Sequence, residues 1–596
     1  MEEKHVNLIF RNLEESEWSV VSQSSFESID FKNPSSLKNV DHQDFNSDTK
    51  KQVNEDIFKE IIDFASFQFE GKSIIDTLSY QGVFLWYYHR FRIYYTLRES
   101  FYIIRTIEEF LKDSQPVNAY TNDPRVIEYF VANERVACIQ SPIEMKAKKV
   151  SKLTIVSFAI KFAIRSLSGI TKLNSLRKRK HIVVFNGKHI QKEGEYNPYY
   201  GHLLREGNSE EWAILRLNTF PKMEAGLPGW NKDKNVPDTS FLQINSESVL
   251  CMGIIKNYVE IKKASDFLRN LTNRKNEFKA EMSPVQRLFI DEFISLKESS
   301  KLYLIQYICF RSFFKKGKVK TITTISEHSS NERSVLDGAR RSGVKTIGVQ
   351  HGAITPMNIS YMYGDHERNY HVAPDQTILW GKNSQRVLTE KSCYTEQNSI
   401  VLGQLRTDIQ YDILSNVDQI TIPGISNNKP IVVFSSQPQP DQRLRTQAAE
   451  DVIEAARKFE DLQFVIKLHP LEEKAFYEAL LTKNDKILLL GKEVDLYELL
   501  AKSALHITCY STVGAEAVSF GKSLITIDYF QDDLSHYHAK SIARQATNRD
   551  ELFQLIHHIK ESNFAPEPGV SSFVKANTHI IDGETAKRYV EYIESL

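Results

Sequence analysis

The sequence predicts an α/β protein built on two doubly wound parallel sheets that face a cleft, with a helical N-terminal insertion. Three observations lead there. From Pro430 onward, short apolar runs alternate strictly with helical patterns, the signature of strands covered on both faces by crossover helices. A looser version of the same rhythm occupies residues 181–412. Between the two lies Ile413–Lys429, where Pro423, Gly424 and Asn427-Asn428 mark an interdomain linker. Two Rossmann-type domains joined by a hinge account for all three.

In chain order, Val6–Phe10 is a strand candidate, and Ser16–Asn54 reads as a polar loop or partly disordered stretch. Residues Glu55–Asp113 carry a helical, aromatic-rich pattern, including Phe84-Leu85-Trp86-Tyr87-Tyr88. Strands Val117–Thr121 and Val136–Gln140 flank a helix from Pro124, so residues 1–144 form an N-terminal α/β region. Residues 145–180 form the next unit. No Asp or Glu occurs from Met145 to Lys192. Leu153, Val156, Ile160, Ala163, Leu167 and Ile170 fall on one helical stripe, and Lys161, Arg165 and Lys172 on the other. Such a basic amphipathic helix suits an anionic membrane surface, and equally a connector packed on a neighbouring domain.

The acceptor-side domain, 181–412, begins with strand His181–Phe185 and continues through Trp212–Leu217 and a helical region from Ser246 to Lys315. Strands Val319–Ile325, Thr346–Gln350 and Thr377–Leu379 follow, with a turn at Ile400–Gly403. The nucleotide-binding domain, 430–565, has strands at Ile431–Phe434, Gln463–Leu468, Lys486–Leu490, Leu505–Thr508 and Ser523–Ile527, and 566–596 reads as a helical tail.

Bulk properties set limits. The 596 residues exceed one hydrophobic core, and the zero formal net charge gives no footprint for nucleic acid. Five scattered cysteines without CxxC spacing argue against a zinc site or a disulfide framework and fit a reducing cytosol. Asp-x-Asp is absent, removing one common Mg²⁺ pairing. The acidic start has no secretory core, and no apolar run approaches the roughly 20 residues of a spanning helix. The expected location is cytoplasmic, with peripheral attachment to the inner membrane face through 146–180.

The chemistry-bearing residues sit where strands end, the rim on which open α/β sheets bind ligands. His469 follows strand Gln463–Leu468 and is fixed by Pro470, so its imidazole is placed to donate to a phosphate oxygen; Lys467 precedes it. Ser511 and Thr512 open a helix near Val513, where free N–H groups and the helix dipole favour an anion. Both also suit ordinary N-capping. Gly514 allows close approach of a ligand or of neighbouring backbone, and Glu516, on the first turn, suits a ribose or base. Ser435 and Gln437 end the domain's first strand, with Arg443 beyond. In the other domain, His351-Gly352 ends strand Thr346–Gln350, and an imidazole there suits a general base. Ser326-Glu327-His328 ends the preceding strand and offers a second acid or base. Arg406 and Asp408 read chiefly as hinge structure.

Taken together, the His-Gly strand end, the His-Pro turn and the Ser-Thr turn with its following Glu resemble bacterial capsule and surface-polysaccharide transferases of GT-B fold. Relatives of these include the CDP-glycerol-using teichoic acid polymerases, capsular Kdo transferases and bacterial sialyltransferases. The resemblance covers Val319–Asp528, and earlier only the Gly82–Trp86 context. It implies a GT-B-like, metal-independent glycosyltransferase without a cofactor, acting on a nucleotide-sugar donor and a glycan or lipid-linked glycan acceptor. His351 would be the base, and His469, Ser511 and Thr512 would hold the donor phosphates. Gln350 stands where the teichoic acid enzymes carry an aromatic residue, and Cys509-Tyr510-Ser511-Thr512 replaces their Asp-Tyr-Ser-Ser turn. Those departures favour sugar transfer over glycerol phosphate transfer. A CDP-glycerol-type phosphotransferase, a nucleotide-sugar 2-epimerase and a non-catalytic assembly protein are the alternative readings.

Overall fold

The computed structural model describes residues 6–10, 26–28, 47–112, 116–140, 152–186, 200, 202–217, 241–426, 428–438, 442–529 and 537–596. Three parallel sheets follow one another along the chain. The N-terminal sheet has β1 Val6–Ile9, β2 Phe26–Ser28, β3 Val117–Tyr120 and β4 Val136–Ile139, in the order β2-β1-β3-β4. The central sheet has β5 His181–Asn186, β6 Trp212–Leu217, β7 Leu242–Asn245, β8 Thr321–Thr324, β9 Lys345–Val349, β10 Gln376–Leu379 and β11 Ser399–Val401. Its order is β7-β6-β5-β8-β9-β10-β11, all parallel.

The C-terminal sheet has β12 Ile431–Ser435, β13 Gln463–Lys467, β14 Leu488–Leu490, β15 Leu505–Thr508, β16 Ser523–Ile527 and β17 Arg544–Ala546. Its order is β14-β13-β12-β15-β16-β17, again all parallel. Each large sheet therefore reverses its winding beside its first strand, between β5 and β8 and between β12 and β15. That reversal opens a crevice at the strands' carboxyl ends. The strands are apolar because both faces are covered: β12, β16 and β8 are buried along their whole length.

The sequence expectations meet the structure at most elements. The Ser16–Asn54 stretch lies mainly outside the described residues, but its end is helical: α1 spans Ser47–Phe64. Strands β2, β7 and β17 were not anticipated; each is a short edge strand with a weak apolar pattern, and β2 lies inside the stretch read as a polar loop.

The aromatic segment folds as α2, Trp86–Lys112, which buries Trp86, Tyr88 and Phe101. It shares one continuous core with the helices of residues 258–314 and with the loop of residues 354–373. Arg90, buried within that core, donates to the carbonyls of Ile359 and Met362 at 2.8 Å each and meets Glu367 at 3.4 Å. The N-terminal region thus grips a loop of the central domain.

Helix α3, Lys152–Ile170, packs on α4, Ser246–Lys256. Its inward face is not the apolar stripe. Arg165 pairs with Glu247 at 3.3 Å, Ser166 donates to the Glu247 carbonyl, and Gly169 lies against Ser248. Ile160, Ala163, Ile164 and Leu167 point to solvent.

The two large sheets are joined twice. The chain leaves the central sheet through α5, Arg406–Ser415, and returns from the C-terminal domain as α6, Thr585–Ser595. The residues after α5 are not a free linker, since Ile422 is buried among Ile431, Val433 and Leu499. Helix α6 packs on the central sheet. Tyr589 donates to the Gly403 carbonyl at 2.8 Å, and the Trp212 indole donates to Glu594 at 2.8 Å. Buried Asp408 of α5 accepts from the N–H groups of Thr585 at 2.9 Å and Ala586 at 2.7 Å, satisfying the free donors of the α6 terminus. Asp408→Ala strands both donors, so unfolding free energy should fall by roughly 2 kcal/mol. A denaturant titration showing no loss would mean α6 is held by its apolar face alone.

Candidate functional site

In the C-terminal sheet, the rim is tied together across three strand ends. Ser436 donates its N–H to the Lys467 carbonyl at 3.0 Å, and its hydroxyl accepts the His469 N–H at 3.0 Å. Gln437 reaches over the crevice, its carbonyl accepting the Tyr510 N–H at 3.1 Å. The loops after β12, β13 and β15 therefore form one arc at the point where the winding reverses. The Ser435 hydroxyl is buried on this arc and has no hydrogen-bond partner among the described residues. An unpartnered buried hydroxyl is costly, and a ligand oxygen would satisfy it.

His469 is half-buried. Its Nδ1 accepts the Leu471 N–H at 3.1 Å. An acceptor at Nδ1 leaves the neutral ring's proton on Nε2, so the outward nitrogen is a donor. Ser511 uses its hydroxyl to accept the Val513 N–H at 3.3 Å, and its carbonyl accepts from Tyr537 at 3.0 Å. Thr512 caps the following helix, Val513–Ser519, without a side-chain hydrogen bond and is exposed. Ordinary capping thus occupies Ser511 in part and leaves Thr512 open.

The other expected donor-side residues diverge from this arc. The Lys467 ammonium reaches the Gly491 carbonyl, on the β14 side of the sheet. A side chain at Gly514 would strike the Tyr537 ring at 2.6 Å, so that glycine serves packing. Glu516 turns toward the hinge, where Arg406 holds it at 2.9 Å. Gln410 of α5 reinforces the contact by donating to the Ser519 carbonyl. The Arg443 side chain lies outside the described residues.

The central sheet presents a second cluster. His351, just past β9, is mostly buried; desolvation holds its pKa below the usual value, against the pull of the Ile325 carbonyl. Its Nδ1 lies 3.3 Å from the Tyr361 hydroxyl, and its ring stacks on His328 with centroids 5.2 Å apart. Phe91 of α2 closes the other side of His328, with ring centroids 5.0 Å apart. Gln350 is a tie, not a ligand: it donates to Gly352 and Ser384 and accepts the Trp380 N–H.

Glu327 lies beside these rings, 2% exposed, and among the described residues no other side chain hydrogen-bonds its carboxylate. Burial pushes its pKa up to about 7, only partly offset by its own backbone N–H and, less, by Arg333. Gly348 on β9 makes room for it, since a Cβ there would sit 3.2 Å from the carboxylate. Ligand atoms of Glu327, His328 and His351 all lie within 4.8 Å of one another, close enough to share a proton or a cation.

Three contributors were hidden from sequence reading. Phe91 and Tyr361 arrive from distant segments, and Arg90 sets the loop that carries Tyr361. The usable signal was Arg90 itself, a charged residue inside a run of aromatics.

No family model matches this sequence, and no curated protein matches it. Solved structures do. UDP-GlcNAc 2-epimerase from Neisseria meningitidis, bound to UDP-GlcNAc, is similar with a TM-score of 0.43 at 13% identity, over 70% of this chain and 100% of that one. The wall teichoic acid polymerase TagF gives 0.42 at 12% identity, over 75% and 98%. The S. aureus MnaA–UDP structure gives 0.39 at 12% identity, over 70% and 96%. At these identities the similarity is one of chain path.

Glu327 makes stability depend on pH in a defined direction. Its folded pKa of about 7 exceeds the ordinary 4.5, so between those values the folded state holds a proton that the unfolded state has lost. Its contribution is fully present below pH 4.5 and is lost as pH rises through about 7. Glu327→Gln stays neutral throughout. Across that window, stability should shift in the variant's favour by roughly 3 kcal/mol. Parallel stability–pH curves for the two proteins would show that Glu327 is ionised in the folded state.

Proposed function

We propose that this protein moves a sugar from a nucleotide-activated donor onto an acceptor hydroxyl of a cell-surface glycan. The observation that carries this reading is the arc at the C-terminal switch point, where Ser435, Ser436, His469 and Ser511 cluster hydroxyls and N–H groups suited to a diphosphate. In this reading Thr512 adds a second hydroxyl, Gln437 and Lys467 position the loops, and Glu516 locks the hinge.

The acceptor's proton passes to His351, which desolvation keeps neutral and therefore able to accept it. The acceptor oxygen bonds to the anomeric carbon as the bond from that carbon to phosphate oxygen breaks. Charge on the leaving nucleotide is met by the His469 Nε2–H, the Ser435 hydroxyl and the Val513 helix terminus. Glu327, beside the His351–His328 stack, supports the imidazolium once the proton has arrived. The donor nucleotide, its sugar and the linkage are set by residues outside this polar arc. The acceptor side carries the basic helix α3, which suits a lipid-linked acceptor at the inner membrane face.

Thermal-shift measurements against CMP, CDP, UDP, GDP and ADP test the donor site, and a stabilising nucleotide is expected. With that donor, His351→Ala should lower turnover about 10²–10⁴-fold while leaving donor affinity nearly unchanged. His469→Ala should instead weaken donor binding roughly tenfold. The reverse pattern would exchange the two roles. Donor conversion without any acceptor would point to an epimerase, and a response to CDP-glycerol alone to a phosphotransferase.

Because Glu327, His328 and His351 bring their ligand atoms together, EDTA is a direct control. Turnover should survive it. Loss restored by a divalent cation would overturn the metal-independent mechanism.

A further inference from the structure

Helix α3 poses a physical problem. An amphipathic helix in a globular protein turns its apolar stripe inward. Here Arg165, Ser166 and Gly169 face α4, while Ile164 is 52% and Leu167 70% exposed. The exposure does not stop at α3. On α4, Ser248 abuts α3, and Met252 and Ile255 follow it at helical spacing on the same face. Both are exposed, Ile255 at 74%. The next helix, Tyr258–Asn273, opens with Tyr258 and Val259, which are 66% and 68% exposed. Three helices, each packed on the next, thus carry exposed apolar residues, where a scattered single residue would need no explanation.

Its border is basic. Lys256 ends α4 one residue past Ile255, and the neighbours that perturb it are cations: Lys316 first, then Arg177, which together hold its ammonium below the usual lysine range. The acids beside the surface are already neutralised, Glu247 by Arg165 at 3.3 Å and Glu260 by Arg311 at 2.6 Å. Sequence adds that residues 145–192 hold no Asp or Glu. An apolar face, an aromatic residue at its margin and clustered unneutralised cations complement a lipid bilayer carrying anionic headgroups. Among the described residues no helix is long and apolar enough to cross a membrane, so the contact is a surface one.

We infer that Ile160, Ile164, Leu167, Met252, Ile255 and Val259 form a membrane-docking face that enters the interfacial region of an anionic bilayer, with Lys256, Lys316 and Arg177 against its headgroups. The face extends well beyond the amphipathic helix alone. It goes beyond the transfer chemistry, and docking is read without donor or acceptor, so failure of either reading leaves the other standing.

Flotation of the full chain with phosphatidylcholine vesicles, with and without phosphatidylglycerol, tests it. The protein should float with the anionic vesicles and much less with the neutral ones, and rising salt should release it. Leu167→Asp combined with Ile255→Asp should abolish flotation. Lys256→Glu combined with Lys316→Glu should cut binding to anionic vesicles by roughly tenfold or more. All four positions are on the surface, and thermal melts and circular dichroism matching wild type confirm that each variant folds. Wild-type protein that stays at the bottom of the gradient with anionic vesicles would overturn the proposal, as would Asp variants that float normally. So would sedimentation showing a dimer that Ile255→Asp dissociates while wild type fails to float, since the face would then belong to a second copy.

Discussion

One carboxylate sits where the two halves of this molecule are joined. Asp408 lies on the helix that leaves the central sheet, and it caps the helix that comes back from the C-terminal domain. Both crossings of the domain boundary therefore meet at a single buried group. Around it, Tyr589, Trp212 and Gly403 fasten the returning helix, while Arg406–Glu516 and Gln410–Ser519 fasten the departing one to the far domain. The crevice between the sheets depends on this arrangement. A carboxylate accepting two N–H donors away from water is strong and directional, so the joint fixes where the strand rims lie while leaving them free of covalent or sheet continuity.

The two rims then divide the chemistry by polarity. The C-terminal rim is a lattice of loop hydrogen bonds with the half-buried His469 Nε2 and the buried Ser435 hydroxyl as its spare donors. That is a preorganised surface for negative charge. The central rim is nearly the opposite: aromatic walls around His328, His351 and a buried Glu327. Low polarity there disfavours both charged forms, lowering the imidazole's pKa and raising the carboxyl's.

Much of this was legible in the sequence, for a physical reason. Strands such as Ile431–Ser435 and Ser523–Ile527 are covered on both faces, so their apolar runs announce them, and the polar residues directly after them mark the rim. His351, His469 and Ser511 were placed at strand ends that way. What stayed hidden depends on contacts between distant segments. Glu516 looked like a ligand-facing acid until Arg406 met it from across the hinge. Gln350 looked like a departure from a motif, yet its three hydrogen bonds to Gly352, Ser384 and Trp380 make it a tie. The amphipathic pattern of Lys152–Ile170 was plain, but periodicity does not say which face meets the protein. Ser166, Gly169 and the Arg165–Glu247 pair decided it, turning the oily side out.

The raised pKa of the buried Glu327 carboxyl has a further consequence for any ligand that binds beside it. A group poised near neutrality changes its protonation whenever the local field changes. An anionic ligand entering near it favours the protonated form and so draws a proton from solvent. Binding heat measured in two buffers of different ionisation enthalpy would then differ, by an amount proportional to the protons taken up. Acidification would tighten the complex with no change in any direct contact, because the cleft's charge adjusts to its occupant.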